Sequence, residues 1–392
     1  MIKTEQKKLK IGNVPNLRFP GFEGEWETKK LGDILQFKNG INASKEKYGK
    51  GVKFVNVSDI LNNEFLTYDN IIGSVDIDNT THEKYLVEYG DILFQRSSET
   101  REEVGTANVY LDIDKTATFG GFVIRGKKIG DYNPIFFNNL LKTNSSRNSI
   151  TSKSGGSTRY NVGQETLSSV ELFFPQIPEQ NKIADLLVLL NQRIQTQNKI
   201  IEQLETLIKG LSYQMFELKQ FEFSVLPLKS ICIIKKGDQI NSSALSNTGL
   251  YYVMNGGIIP SGYHSEYNSE GKTISISEGG NSCGYVQFNN TEFWSGGHCY
   301  TLISIDKCIK NKYLYYFLKA CENKIMALRV GSGLPNIQKS ALEKFEIKIP
   351  NLHKQQNIIL ILDNLSSKLD IEKALLKVYQ RKKQYLLQNL FI

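Results

Sequence analysis

PEQNKIADLLVLLNQRIQTQNKIIEQLETLIKGLSYQMF (residues 178–216) sets the architecture of this chain of 392 residues. Its apolar residues recur at alternating steps of four and three, and one polar residue, Gln197, occupies a position in the same series. A period of 3.5 sustained over more than four heptads is typical of a coiled-coil helix rather than of a helix lying on a globular core. The predicted seam comprises Ile183, Leu187, Leu190, Ile194, Ile201, Leu204, Ile208, Leu211 and Met215.

A second segment of the same kind, HKQQNIILILDNLSSKLDIEKALLKVYQRKKQYLLQNLF, closes the chain at residues 353–391. Pro350 and Gln355 lie 175 residues after Pro175 and Gln180, so the chain contains an internal duplication. The polar positions of the second seam are Glu372, in register with Gln197, and Lys383. The apolar positions are Ile358, Leu362, Leu365, Leu369, Leu376, Tyr379, Leu386 and Leu390.

Chain order predicts how the two helices pair. The first helix leads from the first domain to the second, and the second helix leaves the second domain, so the two are expected to run antiparallel. From Ile183 to Met215 such a helix extends roughly 50 Å, at about 1.5 Å per residue. The alternative is that each helix packs separately on its own domain.

The segments that precede the two helices have a different pattern. Short β-type runs at 52–60, 90–96, 116–126, 272–277 and 301–305 alternate with polar turns, and helices are predicted at 133–143 and 311–328. We therefore expect an α+β fold: two β-rich domains joined by two long antiparallel coiled-coil helices, with a pseudo-twofold internal repeat. The predicted boundaries are 1–176 for the first domain, 177–218 for the first helix, 219–350 for the second domain and 351–392 for the second helix.

The composition narrows the class of protein. With 40% hydrophobic and 22% charged residues the chain is globular, and its net charge of +8 favours an anionic partner such as nucleic acid. The five cysteines form no CxxC pair, which favours buried thiols over a disulfide framework or a zinc site. No apolar run of about 18 residues is present, and no apolar segment follows the basic N-terminus. These features predict a cytoplasmic protein that does not span a membrane.

Several fragments resemble catalytic motifs, but none is complete. DYNPIFF (131–137) lacks the second proline of an amino-methyltransferase loop, and Pro134 is better placed as the first residue of a helix. GKT (271–273) lacks the leading glycine of a phosphate-binding loop, and EIK (346–348) lacks the partner carboxylate of a nuclease. His298 and Cys299 have no second ligand pair at metal spacing. The sequence therefore predicts no catalytic residue and no metal site.

Polar and basic loops provide the candidate binding residues. Side chains of these types contact phosphate oxygens and base edges of DNA, although polar loops are more often simply solvated. The candidates are Lys45, Lys47, Lys50, Arg96, Ser97, Arg101, Lys153, Ser157, Arg159, Tyr160, Lys235, Lys236, Asn281, Ser282, Arg329, Ser332 and Asn336.

Three segments carry a resemblance to a known family. PQIPEQNKIADLL (175–187), LRFPGFEGEWETKKLGDI (17–34) and the second copy at 350–391 resemble the DNA specificity subunit of Type I restriction-modification systems, over nearly the whole chain. The second copy departs from the pattern, because His353 and Lys354 replace Pro178 and Glu179 and the second domain begins without a tryptophan.

The resemblance implies a non-catalytic, sequence-specific DNA-binding subunit of a phage-defence system. The two β-rich domains would be target recognition domains, and each would read one half of an asymmetric, interrupted site in double-stranded DNA. The helices would space these domains and dock two modification subunits. This chain would bind no cofactor. The modification subunits would use S-adenosylmethionine to methylate adenines, and the restriction subunits would use ATP and Mg. The alternatives are a fused methyltransferase or nuclease and a coiled-coil scaffold that binds proteins.

Overall fold

The computed structural model describes residues 12–217, 222–280, 282–331, 333 and 335–392. The chain divides into two compact units, unit 1 (Met1–Gln195 with Lys377–Ile392) and unit 2 (Thr196–Leu376). Each long helix therefore contributes one part to each unit. Within the described residues, no helix combines the length and the apolar character needed to cross a membrane.

Unit 1 is built from short strands in small sheets. Its strands are β1 (Glu27–Lys30), β2 (Leu35–Asn39), β3 (Tyr48–Val55), β4 (Ser74–Val75), β5 (Ile92–Gln95), β6 (Ser97–Ser98), β7 (Ala107–Val109), β8 (Thr118–Phe119), β9 (Val123–Lys128), β10 (Tyr160–Asn161) and β11 (Glu171–Phe174). Its helices are α1 (Leu31–Ile34), α2 (Val57–Asn62), α3 (Asn79–Lys84), α4 (Pro134–Leu141), α5 (Asn144–Thr151), α6 (Gln164–Ser168) and the first part of α7 (Ile177–Glu217), with 3-10 turns at Lys45–Lys47 and Tyr68–Asn70. The sheet orders are β2-β9-β5-β7, β4-β3-β8, β1-β11 and β10-β6.

Unit 2 repeats this plan. Its strands are β12 (Ser224–Pro227), β13 (Ile233–Lys236), β14 (Tyr251–Met254), β15 (Gly262–His264), β16 (Thr273–Ser277), β17 (Val286–Asn289), β18 (Trp294–Ser295), β19 (Cys299–Ile303) and β20 (Glu346–Ile349). Its helices are the second part of α7, α8 (Asn311–Ala320), α9 (Glu322–Met326), α10 (Lys339–Glu343) and most of α11 (Leu352–Asn389), with 3-10 turns at Leu228–Ser230 and Ser242–Ala244. The end of α11 belongs to unit 1. The sheet orders β13-β19-β16-β17, β15-β14-β18 and β12-β20 match three sheets of unit 1 one for one. The predicted α+β duplication is therefore confirmed.

Backbone hydrogen bonds show the repeat at single-residue resolution. Asn161 exchanges two backbone bonds with Gly155, at 3.0 and 2.8 Å, and Asn336 exchanges the same two bonds with Val330, at 2.8 and 3.0 Å. Asn336 lies 175 residues after Asn161, which is the offset found in the sequence. The loops that carry the two asparagines therefore occupy equivalent places in the two units.

Three sequence-based assignments are wrong in detail. The run at 116–126 is not one strand, because it contains β8 and the start of β9, which belong to different sheets. The run at 52–60 is not one strand, because β3 ends at Val55 and α2 begins at Val57. The backbone N–H of Asn56 donates to Asp59 Oδ2 at 2.8 Å, which stabilises the start of α2. The helix predicted at 311–328 is two helices, α8 and α9, separated at Cys321. The start of α4 at Pro134 is confirmed, and Asn133 caps it by accepting hydrogen bonds from the next two free N–H groups.

The ends of the long helices close the two cores. In unit 1 the ring of Phe391 stacks on Phe136 of α4, at 5.3 Å between centroids, and Trp26 packs edge-on against both rings. In unit 2 Phe216 packs edge-on against Tyr313 of α8, at 5.7 Å. Phe391 lies 175 residues after Phe216, so aromatic residues at equivalent positions of the repeat pack in the cores of the two units.

Within each unit α7 and α11 lie side by side and run antiparallel, as predicted. In unit 1 Arg193 Nε donates to Tyr379 Oη at 3.0 Å. In unit 2 Gln197 Nε2 donates to Glu372 Oε2 at 2.5 Å, so the two polar seam positions that share a register contact each other. Every residue of the two predicted seams is buried or half-buried. The third polar position, Lys383, pairs with Glu64 of unit 1 at 3.1 Å.

A buried glutamine fastens each long helix to its unit. Gln180 Oε1 accepts from the N–H of Asn133 at 2.9 Å, and its Nε2 donates to the carbonyl of Pro175 at 2.8 Å. Gln355 does the same with the N–H of Lys310, at 2.7 Å, and the carbonyl of Pro350, at 2.9 Å. Each glutamine thus joins the end of a strand, the start of a long helix and the start of α4 or α8.

Arg18 and the buried carboxylate of Glu179 form an ion pair between two of the segments that carry the family resemblance. Two parallel hydrogen bonds of 2.8 and 2.7 Å join the guanidinium to the carboxylate, and the Glu179 side chain is 2% exposed. We expect Arg18→Ala to destabilise the protein by about 3–5 kcal/mol, because it leaves a buried carboxylate without its partner. Urea unfolding measures the change. Lys29→Ala, which breaks an exposed pair with Glu27, is the control and should change stability by less than about 1 kcal/mol.

The cysteines follow the predicted pattern with one exception. Cys232, Cys283, Cys299 and Cys321 are buried, whereas Cys308 is exposed, so the prediction that all five thiols are buried is wrong for Cys308. Burial raises the pKa of Cys232 to about 12 and that of Cys299 to about 11, which keeps both thiols protonated at neutral pH. We expect a maleimide to label one thiol in the native protein and all five after denaturation. Mass spectrometry of Cys308→Ser is the control, and labelling of that variant before denaturation would contradict the assignment.

Candidate nucleic-acid interface

Glycines of unit 1 bring two loops into backbone contact. Gly40 follows β2, and the pair Gly120–Gly121 precedes β9. A Cβ atom on Gly40 would lie 2.1 Å from the carbonyl oxygen of Gly120, and one on Gly121 would lie 2.0 Å from Oδ1 of Asn42. A side chain at Gly40 would meet the backbone of the other loop and separate the two loops, so this position requires glycine because of the close approach. We call the three residues the glycine frame of unit 1.

A cleft of ≈ 560 Å³ opens beside this frame. Its rim carries Phe122, whose side chain is 61% exposed, and the guanidinium of Arg159 lies 5.8 Å from the centre of that ring. The side chains that line the cleft combine aromatic, amide, hydroxyl and acidic groups. They belong to Asn42, Tyr48, Phe54, Asn56, Val57, Gln95, Ser97, Ser98, Glu99, Glu103, Phe122, Val123 and Arg159.

Four predicted residues of unit 1 gather at this cleft. Ser97 and Arg159 line it. Arg96 is exposed beside it and donates to the carbonyl of Gly121 at 3.4 Å. Tyr160 pairs with β6 through β10, and Ser97 Oγ donates to Asn161 Oδ1 at 2.5 Å. The sequence positions 96–97 and 159–160 are therefore neighbours in space.

Three predicted lysines lie on an exposed segment that comprises a 3-10 turn and the first residues of β3. Lys45 and Lys47 belong to the 3-10 turn, and Lys50 pairs with Asp76 at 3.2 Å. Tyr48, which lies between Lys47 and Lys50 in the chain, lines the cleft. This segment therefore adds exposed positive charge near one wall of the cleft.

The remaining candidates of unit 1 do not line the cleft. Arg101 Nε donates to the carbonyl of Thr151 at 3.2 Å, at the end of α5. Lys153 Nζ donates to the carbonyl of Ser169 at 2.6 Å. Both basic groups hold the fold together, and Ser157 is exposed in the loop before β10. A count of basic residues in the sequence could not separate these roles.

Unit 2 contains an equivalent frame with different side chains. A Cβ on Gly237 would lie 2.3 Å from the carbonyl oxygen of Gly296, and one on Gly297 would lie 2.0 Å from Oε1 of Gln239. Gln239 thus occupies the place of Asn42. His298 follows the glycine pair as Phe122 does, is exposed, and donates its backbone N–H to Asn255 Oδ1 at 3.2 Å.

The predicted residues of unit 2 are more scattered. Lys235 and Lys236 lie on β13, and Lys236 pairs with Glu278 at 2.6 Å. Asn336 forms a backbone bridge with Gly279, next to that acid. Arg329 is exposed near the start of the same loop.

Glu278 of unit 2 occupies the position of Arg96 in unit 1. The backbone N–H of Arg96 donates to the carbonyl of Phe122 at 2.9 Å, and that of Glu278 donates to the carbonyl of His298 at 2.9 Å. Tyr300 Oη also donates to this carboxylate, at 3.1 Å, and desolvation raises the pKa of Tyr300. Ser282 lies in a turn, where its carbonyl accepts from Tyr285 at 2.9 Å. Asn281 and Ser332 lie outside the described residues.

The structure adds residues that the sequence-based candidates omitted. Asn42, Asn56 and Phe122 of unit 1 correspond to Gln239, Asn255 and His298 of unit 2. The sequence contains a signal for Phe122 and His298, because FGGF (119–122) and SGGH (295–298) are glycine pairs that precede a strand at the same place in the repeat. In the described part of the chain, no three His, Cys, Asp or Glu side chains converge as metal ligands.

Comparison with known proteins assigns the chain to a family. The family model described as the Type I restriction modification DNA specificity domain matches residues 23–206 and again residues 221–379. The chain therefore belongs to the family of Type I restriction-modification DNA specificity domains, and it contains two copies of the domain.

The relatives and solved structures agree with this assignment. A provisionally named type I specificity subunit of Mycoplasma pneumoniae is 33% identical over 164 residues, which are 40% of this chain and 44% of that protein. This chain thus aligns with less than half the length of that relative. A provisionally named MjaX specificity subunit of Methanocaldococcus jannaschii is 23% identical over 407 residues, covering 94% of this chain and 91% of the relative.

Two solved structures share the fold. The S subunit of a type I restriction-modification system from M. genitalium has a TM-score of 0.66 at 19% identity and covers 97% of this chain and 99% of that chain. A chain from a structure of the assembly and conformational transition of a type I R-M system has a TM-score of 0.59 at 16% identity, covering 95% and 98%. At these identities the likeness concerns the fold.

Proposed function

We propose that this chain is the DNA specificity subunit of a Type I restriction-modification complex, in which each unit reads one half of a bipartite, asymmetric site. The observation that carries the proposal is the pair of glycine frames. The same backbone arrangement recurs in both units, but Asn42, Arg96 and Phe122 of one unit are replaced by Gln239, Glu278 and His298 of the other. Two readers with one scaffold and different side chains suit a site whose two halves differ in sequence.

The family supports a proposal for the assembly. α7 and α11 would space the two readers and dock two modification subunits, and restriction subunits would join that complex in the cytoplasm. Exposed apolar side chains on both helices, including Leu189, Leu207, Leu360 and Ile371, support a role in docking partner helices. The family match in both halves of the chain does not favour the alternatives of a fused enzyme or a scaffold.

Genome-wide mapping of methylated adenines tests the proposal. Methylation at one bipartite motif should be present in the host, disappear when this gene is deleted, and return when the wild-type gene is restored. Persistence of every methylated motif after deletion would contradict the proposal. Transfer of labelled methyl groups to DNA by the purified chain alone would favour an enzyme, and failure to protect any bipartite site in the presence of the modification subunit would favour a scaffold.

A further inference from the structure

We propose that Phe122 and His298 are the equivalent specificity-determining residues of the two units, and that Phe122 reads its half-site through an apolar contact with the methyl group of thymine. This inference rests on the proposed function and extends it to a named side chain and a named group of the DNA. Phe122 and His298 were not among the basic and polar candidates of the sequence.

The backbone around both residues is fixed in the same way. The carbonyl of Phe122 accepts from the N–H of Arg96 at 2.9 Å, and the carbonyl of His298 accepts from the N–H of Glu278 at 2.9 Å. The glycine pair before each residue is in backbone contact with Gly40 or Gly237. The two side chains therefore project from rigid and equivalent positions, so a contact with DNA requires little reorganisation.

The chemistry of the two positions differs. Phe122 exposes 61% of a large apolar side chain at the rim of the cleft. The fold leaves most of this apolar surface uncovered. The guanidinium of Arg159, 5.8 Å from the ring centre, adds a cation suited to a nearby phosphate. His298 presents an imidazole, which donates a hydrogen bond to an acceptor on a base edge.

An apolar side chain has one base-specific partner in the major groove. Each base pair presents its own pattern there, and the C5-methyl group of thymine is the apolar feature that aromatic and aliphatic side chains contact. His298 would instead contact a hydrogen-bonding edge. The two units would then require different bases at the equivalent position of each half-site, although their frames are alike.

Replacing single thymines by uracil tests the contact, because uracil differs from thymine only by this methyl group. The complex of the full chain with its modification subunit is titrated with duplexes that carry the mapped site, with one thymine at a time replaced. We expect one replacement to weaken binding by the wild-type complex roughly fourfold, the value of burying one methyl-sized group. Phe122→Ala should bind the thymine duplex roughly fourfold more weakly and show no further loss with uracil.

The control variants separate this contact from general effects. The His298→Ala complex should still bind more weakly when uracil replaces the thymine that contacts Phe122. It should also tolerate other bases at the equivalent position of the other half-site. Tyr89→Ala removes an exposed aromatic side chain of unit 1 that does not line the cleft, and it should behave as wild type. If Phe122→Ala abolishes all specific binding, Phe122→Leu is measured instead, because leucine keeps an apolar side chain at this position. A Phe122→Leu complex that still binds the uracil duplex more weakly than the thymine duplex supports the contact. A Phe122→Leu complex that binds the site specifically but does not distinguish uracil from thymine overturns the proposed contact.

Two further outcomes overturn the inference while leaving the proposed function intact. One is a wild-type complex that binds its bipartite site and responds to no uracil replacement. The other is a Phe122→Ala complex that responds to each uracil as the wild-type complex does. A complex that binds no bipartite site at all would instead contradict the proposed function itself.

Discussion

Leu187→Asp combined with Leu362→Asp is expected to abolish specific methylation. Both side chains are fully buried, and each belongs to the core of its own unit. Leu187 packs in the cluster that contains Leu386 and Leu390, and Leu362 in the cluster that contains Phe216. An aspartate at either position places an unpaired carboxylate in an apolar core, and each should destabilise its unit by about 4 kcal/mol or more.

Urea unfolding of each single variant and adenine methylation by the complex are the two measurements. Asn198→Asp combined with Asn357→Asp adds the same charge at exposed positions of the same helices and serves as the control. The control should unfold within about 0.5 kcal/mol of the wild-type protein. If the buried double variant retained normal stability and methylation, the assignment of these two residues to the helix seam would be wrong.

Gly40→Ala should disable unit 1 and Gly237→Ala should disable unit 2. In each case the new Cβ would meet a backbone carbonyl oxygen, at 2.1 Å from Gly120 and at 2.3 Å from Gly296. Backbone atoms cannot rotate aside as a flexible side chain can, so the two loops must separate. We expect a loss of about 3 kcal/mol or more in stability. Under the proposed function each unit reads one half of the site, so either variant should reduce specific binding by at least about tenfold.

Gly163→Ala is the matched control in unit 1. Its Cβ would meet only Oγ1 of Thr166, at 4.0 Å, which is an ordinary contact. Fluorescence anisotropy with the mapped site measures binding, and urea unfolding measures stability. Normal binding by Gly40→Ala would show that the glycine frame does not shape the DNA-binding surface, whereas normal stability with lost binding would show that it acts on the cleft alone.

The periodic parts of the chain were predictable because their signals are local. The step of four and three residues from Ile183 to Met215 follows from helix geometry, and α7 covers Ile177–Glu217. Pro134 predicted the start of α4 in the same way, because a proline is favoured at the first residue of a helix. The assignments at 52–60 and 311–328 failed in detail, because a hydrophobic pattern does not show two local features. These are the hydrogen bond that the Asp59 carboxylate accepts at the start of α2, and the break between α8 and α9 at Cys321.

The candidate interface was only partly predictable, for a reason that concerns side-chain partners. Lys153 and Arg159 look alike in the sequence, as basic residues of one loop. In the structure Lys153 donates to the carbonyl of Ser169, whereas Arg159 lies over the ring of Phe122 at the cleft. Whether a basic side chain forms hydrogen bonds within the protein depends on residues distant in sequence, and a local pattern carries no information about those residues.

The sequence by itself determined the duplication, the antiparallel helices and the family, since period, offset and repeated motifs depend only on the order of residues. The tertiary structure alone decided which loops meet. Gly40 and Gly120 are 80 positions apart, and the cleft exists because the sheets bring their backbones together without side chains between them. Phe122 and His298 acquire equivalent positions through that contact, which is a property of the folded backbone and not of either residue.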